Sequence, residues 1–146
     1  MAKPYQVAAI PIRLTNAGGI EVLLVTSRET KRWVVPKGWP WRKIKDHDAA
    51  AGEAWEEAGV RGRVLPKSVG EFRYDKRRKE KFHSLSVTVY LMQVTEEATT
   101  WPESEQRQRK WFSPGDAATA VAEPELKSIL LALPPNLFAD IATPAP

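Results

Sequence analysis

The sequence predicts an α/β fold in a single domain, a mixed β-sheet packed between helices. Three observations carry this expectation. Extended apolar runs occupy residues 7–14, 21–27 and 82–94, an alanine-rich helical segment divides them, and two helix starts follow the last of them. The length of 146 residues suits one domain. A chain of that size buries about 68–70% of its unfolded surface. The order of elements departs from a strict strand–helix alternation, so a mixed sheet is expected rather than a parallel array.

Residues 7–14 read as a strand that Pro11 places at an edge or a bulge, because proline cannot donate to a ladder. Asn16-Ala17-Gly18-Gly19 is a turn into a second strand at 21–27. Trp33-Val34-Val35 is a short apolar run stopped by Pro36, and a loop follows to about Lys45. From Asp48, the residues Ala49, Ala50, Ala51, Ala54 and Ala58 favour a helix of about three turns. Asp46 or Asp48 is available as its cap, and Gly59 suits a left-handed end. Residues 60–74 read as two extended pieces broken at Pro66. In residues 82–94, Leu85, Val87, Val89 and Leu91 share one face, and a basic turn at 75–81 precedes them. Residues 101–106 form a polar loop and 109–112 a last strand. Ser113-Pro114-Gly115-Asp116 and Glu123-Pro124 begin two helices, the second carrying Leu126, Ile129, Leu130 and Leu133 at helical spacing. The domain is expected to span residues 1–135, with a Pro- and Ala-rich tail at 136–146.

Hydrophobic residues at 42%, with six Trp, three Tyr and four Phe, exclude a chain that is mainly disordered. No run approaches the roughly 18 apolar residues of a membrane span, and the first residues lack a secretory signal, so a cytoplasmic protein is expected. The absence of cysteine removes disulfides, thiolate zinc sites and cysteine nucleophiles together. With two distant histidines, any metal should be held by oxygen. The net charge of +4 is grouped along the chain, with bases at 28–45, 76–81 and 107–110 and acids at 53–57 and 96–105. Such grouping points to an anionic partner. Because no zinc finger, recognition helix or aromatic RNA-binding motif accompanies the bases, dedicated nucleic-acid binding is not expected.

On the central helix, Glu53, Glu56 and Glu57 are spaced three and four residues apart and address nearly the same side. Taken alone, such a triplet is the solvated face of an amphipathic helix. Here it follows a Pro36-Lys37-Gly38 loop, in which a glycine lets the backbone approach the helix and offer a carbonyl as a further hard ligand. A divalent cation, Mg²⁺ or Mn²⁺, would relieve the repulsion among the acids.

From Gly38 to Val60 the spacing resembles the signature of the Nudix hydrolases: glycine, five residues, Glu, seven residues, Arg-Glu, an apolar residue, any residue, Glu-Glu, any residue, Gly, apolar. Gly38, Glu53, Ala54, Glu56, Glu57, Gly59 and Val60 take their places without a gap. Ile44 stands where the first glutamate belongs and Gly52 where the arginine belongs. Ser27 to Gly38, the basic stretch before the 82–94 strand and Arg109-Lys110-Trp111-Phe112 are similar to the diphosphoinositol and diadenosine polyphosphate phosphohydrolase branch.

The resemblance implies a Nudix-type α/β/α sandwich and metal-dependent hydrolysis of a diphosphate linkage, X-P-P-Y, in a small nucleoside- or inositol-polyphosphate-type substrate. It implies Gly38, Glu53 and Glu57 as metal ligands, and Glu53, Glu56 and Glu57 as the catalytic set. Glu56 is the first candidate for activating water, with Glu96, Glu97, Glu103 and Glu105 as loop alternatives. Arg28, Arg32, Lys37, Lys79, Lys81 and His83 are candidates for holding phosphate. Trp39 and Trp41 either cover the core or stack on a base; Trp33, Trp55 and Trp111 read as packing residues. The loss of the arginine at Gly52 and the acid at Ile44 opens an alternative, a phosphate-ligand sensor with impaired turnover. Asp46 and Asp48 are candidates to substitute in part for the missing acid. A monomer or a homodimer is expected, the latter through the strand near Val7 if it lies at an edge.

Overall fold

The computed structural model describes residues 4–78 and 81–134, and the side chains of 76–83 lie outside this description. The elements run β1 (Tyr5–Leu14), β2 (Ile20–Thr26), β3 (Trp33–Val34), β4 (Lys37–Gly38), α1 (Asp46–Ala58), β5 (Val60–Val64), β6 (Gly70–Arg78), β7 (Lys81–Glu97), β8 (Arg109–Phe112), α2 (Pro114–Ala120) and α3 (Pro124–Leu131). All eight strands among the described residues belong to one mixed sheet.

Strand β1 lies inside this sheet, which corrects the expectation drawn from Pro11. It runs parallel to β7 from Tyr5 opposite Ser86 to Ile12 opposite Gln93. On its other side it pairs antiparallel with β2 at Ile12–Leu14 and with β4 at Val7 and Ala8. Between these pairings β1 and β2 splay apart, and residues 33–38 line the opening: β3 pairs with β2 at Val25 and Thr26, while Ala9 N–H donates to Pro36 O at 3.0 Å. Side-chain alternation turns the Pro11 nitrogen to the same side as that of Ala9, into the gap between the two ladders, where no donor is needed. The β1 backbone near Val7 is thus paired on both sides, so it offers no edge to a second subunit.

Both faces of the sheet are covered, which is why β1, β2 and β7 read as near-continuous apolar runs. Towards α1 point Val7, Ala9, Leu23, Val25, Tyr90 and Met92, packed on Ala49, Ala50, Ala54 and Ala58. Towards α2 and α3 point Ala8, Ile10, Ile12, Val22, Leu24, Val87, Val89 and Leu91, packed with Leu126 and Leu130. The result is the α/β/α sandwich.

Helix α1 starts two residues before Asp48, with Lys45 as N-cap and no side-chain cap. Asp46 instead accepts from Tyr5 Oη at 2.9 Å, tying the helix entrance to β1. The helix ends as expected, Gly59 taking φ 68° and donating its N–H to Trp55 O. Arg109 donates to Ala58 O at 2.8 Å and lies 4.0 Å over Trp101, so a cation also closes that end. Helix α2 has the expected cap, Ser113 Oγ accepting from Asp116 N. Helix α3 begins at Pro124 without one, because Glu123 is paired with Arg32. Most of the expected basic turn at 75–81 is strand: β6 and β7 stay paired out to Arg78 opposite Lys81, and residues 79–80 lie outside the described part.

Candidate active site

The splayed mouth between β1 and β2 brings Lys37 and Gly38 under the carboxylate side of α1. Contact is close enough that a Cβ on Gly38 would overlap the Glu53 carboxylate. The first signature glycine is therefore a matter of space. One turn on, Glu57 is buried at 8% exposure; it accepts from Lys37 N at 3.3 Å and pairs with Arg107 Nη2 at 3.4 Å. Burial of Glu57 pushes its pKa up to about 7, against the pull of Arg107 and Lys37. Burial also raises the pKa of Glu53, helped by the charges of Glu103 and Glu56. Lys37 is lowered to about 8, chiefly by burial and against the pull of Glu57.

The loop before β8 supplies the other half of the site. Glu103 N–H donates to Glu56 O at 3.1 Å, and Trp101 Nε1 donates to Glu57 O at 2.9 Å, so the loop is fastened to the last turns of α1. Its Arg107 donates to Glu103 Oε1 at 2.7 Å and to Thr26 O at 3.0 Å. Of the loop acids considered, Glu103 joins the cluster. Glu97 faces Arg109 and Trp111, and Glu96 faces Arg61 at the sheet edge. Arg107 lay within a basic group in sequence but had no assigned role; the signal available was its four-residue spacing from Glu103, which is an ion pair here.

Arg32 and Lys37 converge over Tyr74, at 5.7 and 4.0 Å from the ring centroid. Arg32 also pairs with Glu123 at 2.9 Å, and its Nη1 is buried without a hydrogen-bond partner among the described residues. Arg28 is exposed and sits apart, facing Gln106. Lys79 and the side chains of Lys81 and His83 lie outside the described residues. A cleft of about 540 Å³ adjoins the cluster, lined by Thr26, Lys31, Trp33, Ser104, Gln106 and Arg107 among others.

Trp39 and Trp41 are 45% and 42% exposed. Trp41 lies on helix α1 at Gly52, where a Cβ would stand 2.6 Å from Cη2. Trp33 does pack, edge-on against Phe112 at 5.1 Å. Ile44 is exposed; of the two nearby acids, Asp46 accepts from Tyr5 and Asp48 stands beside His47.

The donor set suits a hard divalent cation. It is all oxygen, it includes carboxylates that raise one another's proton affinity, and Glu53 fills the space above Gly38 that a side chain there would take. Among the described residues, no three acidic or histidine side chains stand in a ready ligating group, and Glu57 is held by Lys37 N–H and Arg107. No helix among the described residues is long and apolar enough to cross a membrane.

A carboxylate-bearing helix laid on a mixed sheet, with a glycine loop beneath its acids, defines the class: an α/β/α sandwich with an acidic helix at its site. The NUDIX domain model matches residues 4–133, and the chain belongs to that family. It is 34% identical over 116 residues to Nudix hydrolase 16, mitochondrial, of Arabidopsis thaliana, covering 77% of this chain and 64% of that protein. It is 39% identical over 100 residues to the human (Homo sapiens) diphosphoinositol polyphosphate phosphohydrolase 3-beta, covering 66% of this chain and 57% of that one. The chain thus spans less than two thirds of the length of these relatives. In fold it is similar to the crystal structure of a C. elegans Ap4A hydrolase binary complex, at a TM-score of 0.65 and 22% identity over 96% of this chain and 98% of that one.

Proposed function

We propose that this protein is a metal-dependent hydrolase of a diphosphate linkage in a small nucleoside- or inositol-polyphosphate-type substrate. The observation that carries the reading is the packing of Glu53 over Gly38 beside the buried Glu57, with Glu56 and Glu103 at the rim. Glu53, Glu57 and the Gly38 carbonyl would hold Mg²⁺ or Mn²⁺, which supplies charge neutralisation at the phosphoryl oxygens. Glu56 takes a proton from the attacking water; Glu103 is the alternative base. The water oxygen bonds to phosphorus, the bridging P–O bond breaks, and the phosphorylated leaving group departs.

Lys37 and Arg32, which converge over Tyr74, are suited to flanking phosphates. Arg28 lies further out on the rim, and Lys79, Lys81 and His83 belong to the same proposed set on the basis of sequence. The adjoining cleft has room for a group beyond the diphosphate. The relatives named for diphosphoinositol polyphosphates and Ap4A make those two substrate classes the first to try.

The test is phosphate release from diphosphoinositol polyphosphates, dinucleoside polyphosphates, ADP-ribose-type compounds and capped RNA ends, with Mg²⁺ or Mn²⁺, beside Glu57→Gln. Metal-dependent turnover that falls at least about 100-fold in the variant supports the reading. Ligand binding without turnover of any class would replace it with the sensor.

A further inference from the structure

The signature position that ordinarily carries a cation is Gly52, and the space beside it is filled by Trp41, whose Cη2 would stand 2.6 Å from a Cβ there. An arginine at 52 could not coexist with the indole in this position. The acids nevertheless face a buried cation, which arrives from another element. Arg107 has a side chain only 8% exposed; its Nη2 is 3.4 Å from Glu57 Oε2, its Nε is 2.7 Å from Glu103 Oε1, and its Nη1 is 3.0 Å from Thr26 O. One guanidinium therefore spans a helix acid, a loop acid and a strand carbonyl. Glu103 in turn is fastened to α1 through its N–H on Glu56 O.

We infer that Arg107 is the positioning residue for the acidic cluster: the cation role has moved from the helix at position 52 to the loop before β8, and Trp41 occupies the place left by Gly52. The inference rests on the hydrolase reading above. It explains how the chain can lack the signature arginine and still set a buried cation beside Glu57. A buried carboxylate without a partner adopts other rotamers or a proton, whereas a guanidinium hydrogen-bonded to Glu103 Oε1 and Thr26 O keeps a cation 3.4 Å from the Glu57 oxygen. Groups that orient ligands in this way are typically worth 10–100-fold in metal affinity or activity.

The test uses the full chain, with Mn²⁺ affinity read by electron paramagnetic resonance, kcat and KM read separately, and folding checked by thermal unfolding. Arg107→Met is expected to weaken Mn²⁺ binding and lower kcat by about 10–100-fold each, with KM changed by less than about threefold. Moving the cation back, as Trp41→Ala with Gly52→Arg in the Arg107→Met background, is expected to restore at least about tenfold of both. A role confined to tying the loop to Thr26 would not be rescued from position 52. Where the triple variant fails to fold, guanidinium ion added to Arg107→Ala supplies the same cation and is expected to restore kcat. Arg107→Met matching the wild type in Mn²⁺ affinity and kcat, or no rescue by either route, overturns the inference. Wild-type protein with neither saturable Mn²⁺ binding nor metal-dependent turnover overturns the hydrolase reading and this inference with it.

Discussion

The two faces of the sheet are packed with different side chains for different ends. On the α2 and α3 face, Ile10, Ile12, Leu24, Phe72, Leu126 and Leu130 make a core of large residues. On the α1 face the helix contributes Ala49, Ala50, Ala54 and Ala58. Small residues let the α1 backbone lie close to the strands, and that closeness brings Glu53 onto Gly38 and Glu57 within reach of Lys37 N–H. One face supplies burial; the other gives up side-chain volume to bring acids to a fixed place.

This contrast can be broken from either side. The largest effect is expected from Leu126→Ala, which empties a fully buried site and should cost about 2–5 kcal/mol in denaturant unfolding, while the folded fraction keeps its kcat. Next is Gly38→Ala, which should displace the Glu53 carboxylate and lower the hydrolysis rate about 10–100-fold while leaving the unfolding midpoint much less changed than Leu126→Ala does. Equal loss of kcat in both variants would erase the distinction between the faces.

The smallest effect is a pH dependence of the metal-free protein. The pKa of Glu57 is raised from 4.5 to about 7 on folding, so between those values the folded state binds the extra proton. Its contribution to stability is fully present below about 4.5 and is lost as pH rises through about 7. Glu57→Gln should remove that slope, so its thermal midpoint should gain on the wild type from pH 5 to 8. A gap that stays constant across this range would contradict the raised pKa. Added Mn²⁺ should reverse the trend in the wild type, because the ion favours the ionised carboxylate.

Much of this arrangement was legible from residue types and spacing. The alanines and Gly59 located α1, the glycine at 38 anticipated the close approach of its loop to the acid-bearing side of that helix, and Ser113-Pro114 and Glu123-Pro124 located the last helices. What escaped is what depends on partners distant along the chain. Pro11 suggested an edge because proline lacks a donor, yet the divergence of β1 from β2 gives an interior strand one stretch where none is needed. The parallel pairing of Tyr5–Leu14 with Lys81–Glu97 leaves no local trace. Gly52 looked like a helix weakened by about 1 kcal/mol, and only the position of Trp41 shows what the missing side chain admits. Arg107 stood in a basic group that could as well have been solvated; its burial between two acids gives it a role.

In the proposed function the α1 face with Gly38 holds a divalent cation. The most direct test of this proposal is a Mn²⁺ titration followed by electron paramagnetic resonance on the wild type, Glu53→Gln and Leu126→Ala, each checked for folding. Saturable binding is expected in the wild type, with a loss of at least about tenfold in affinity in Glu53→Gln and wild-type affinity in folded Leu126→Ala. Unchanged binding in Glu53→Gln, or no saturable binding in the wild type, would contradict it.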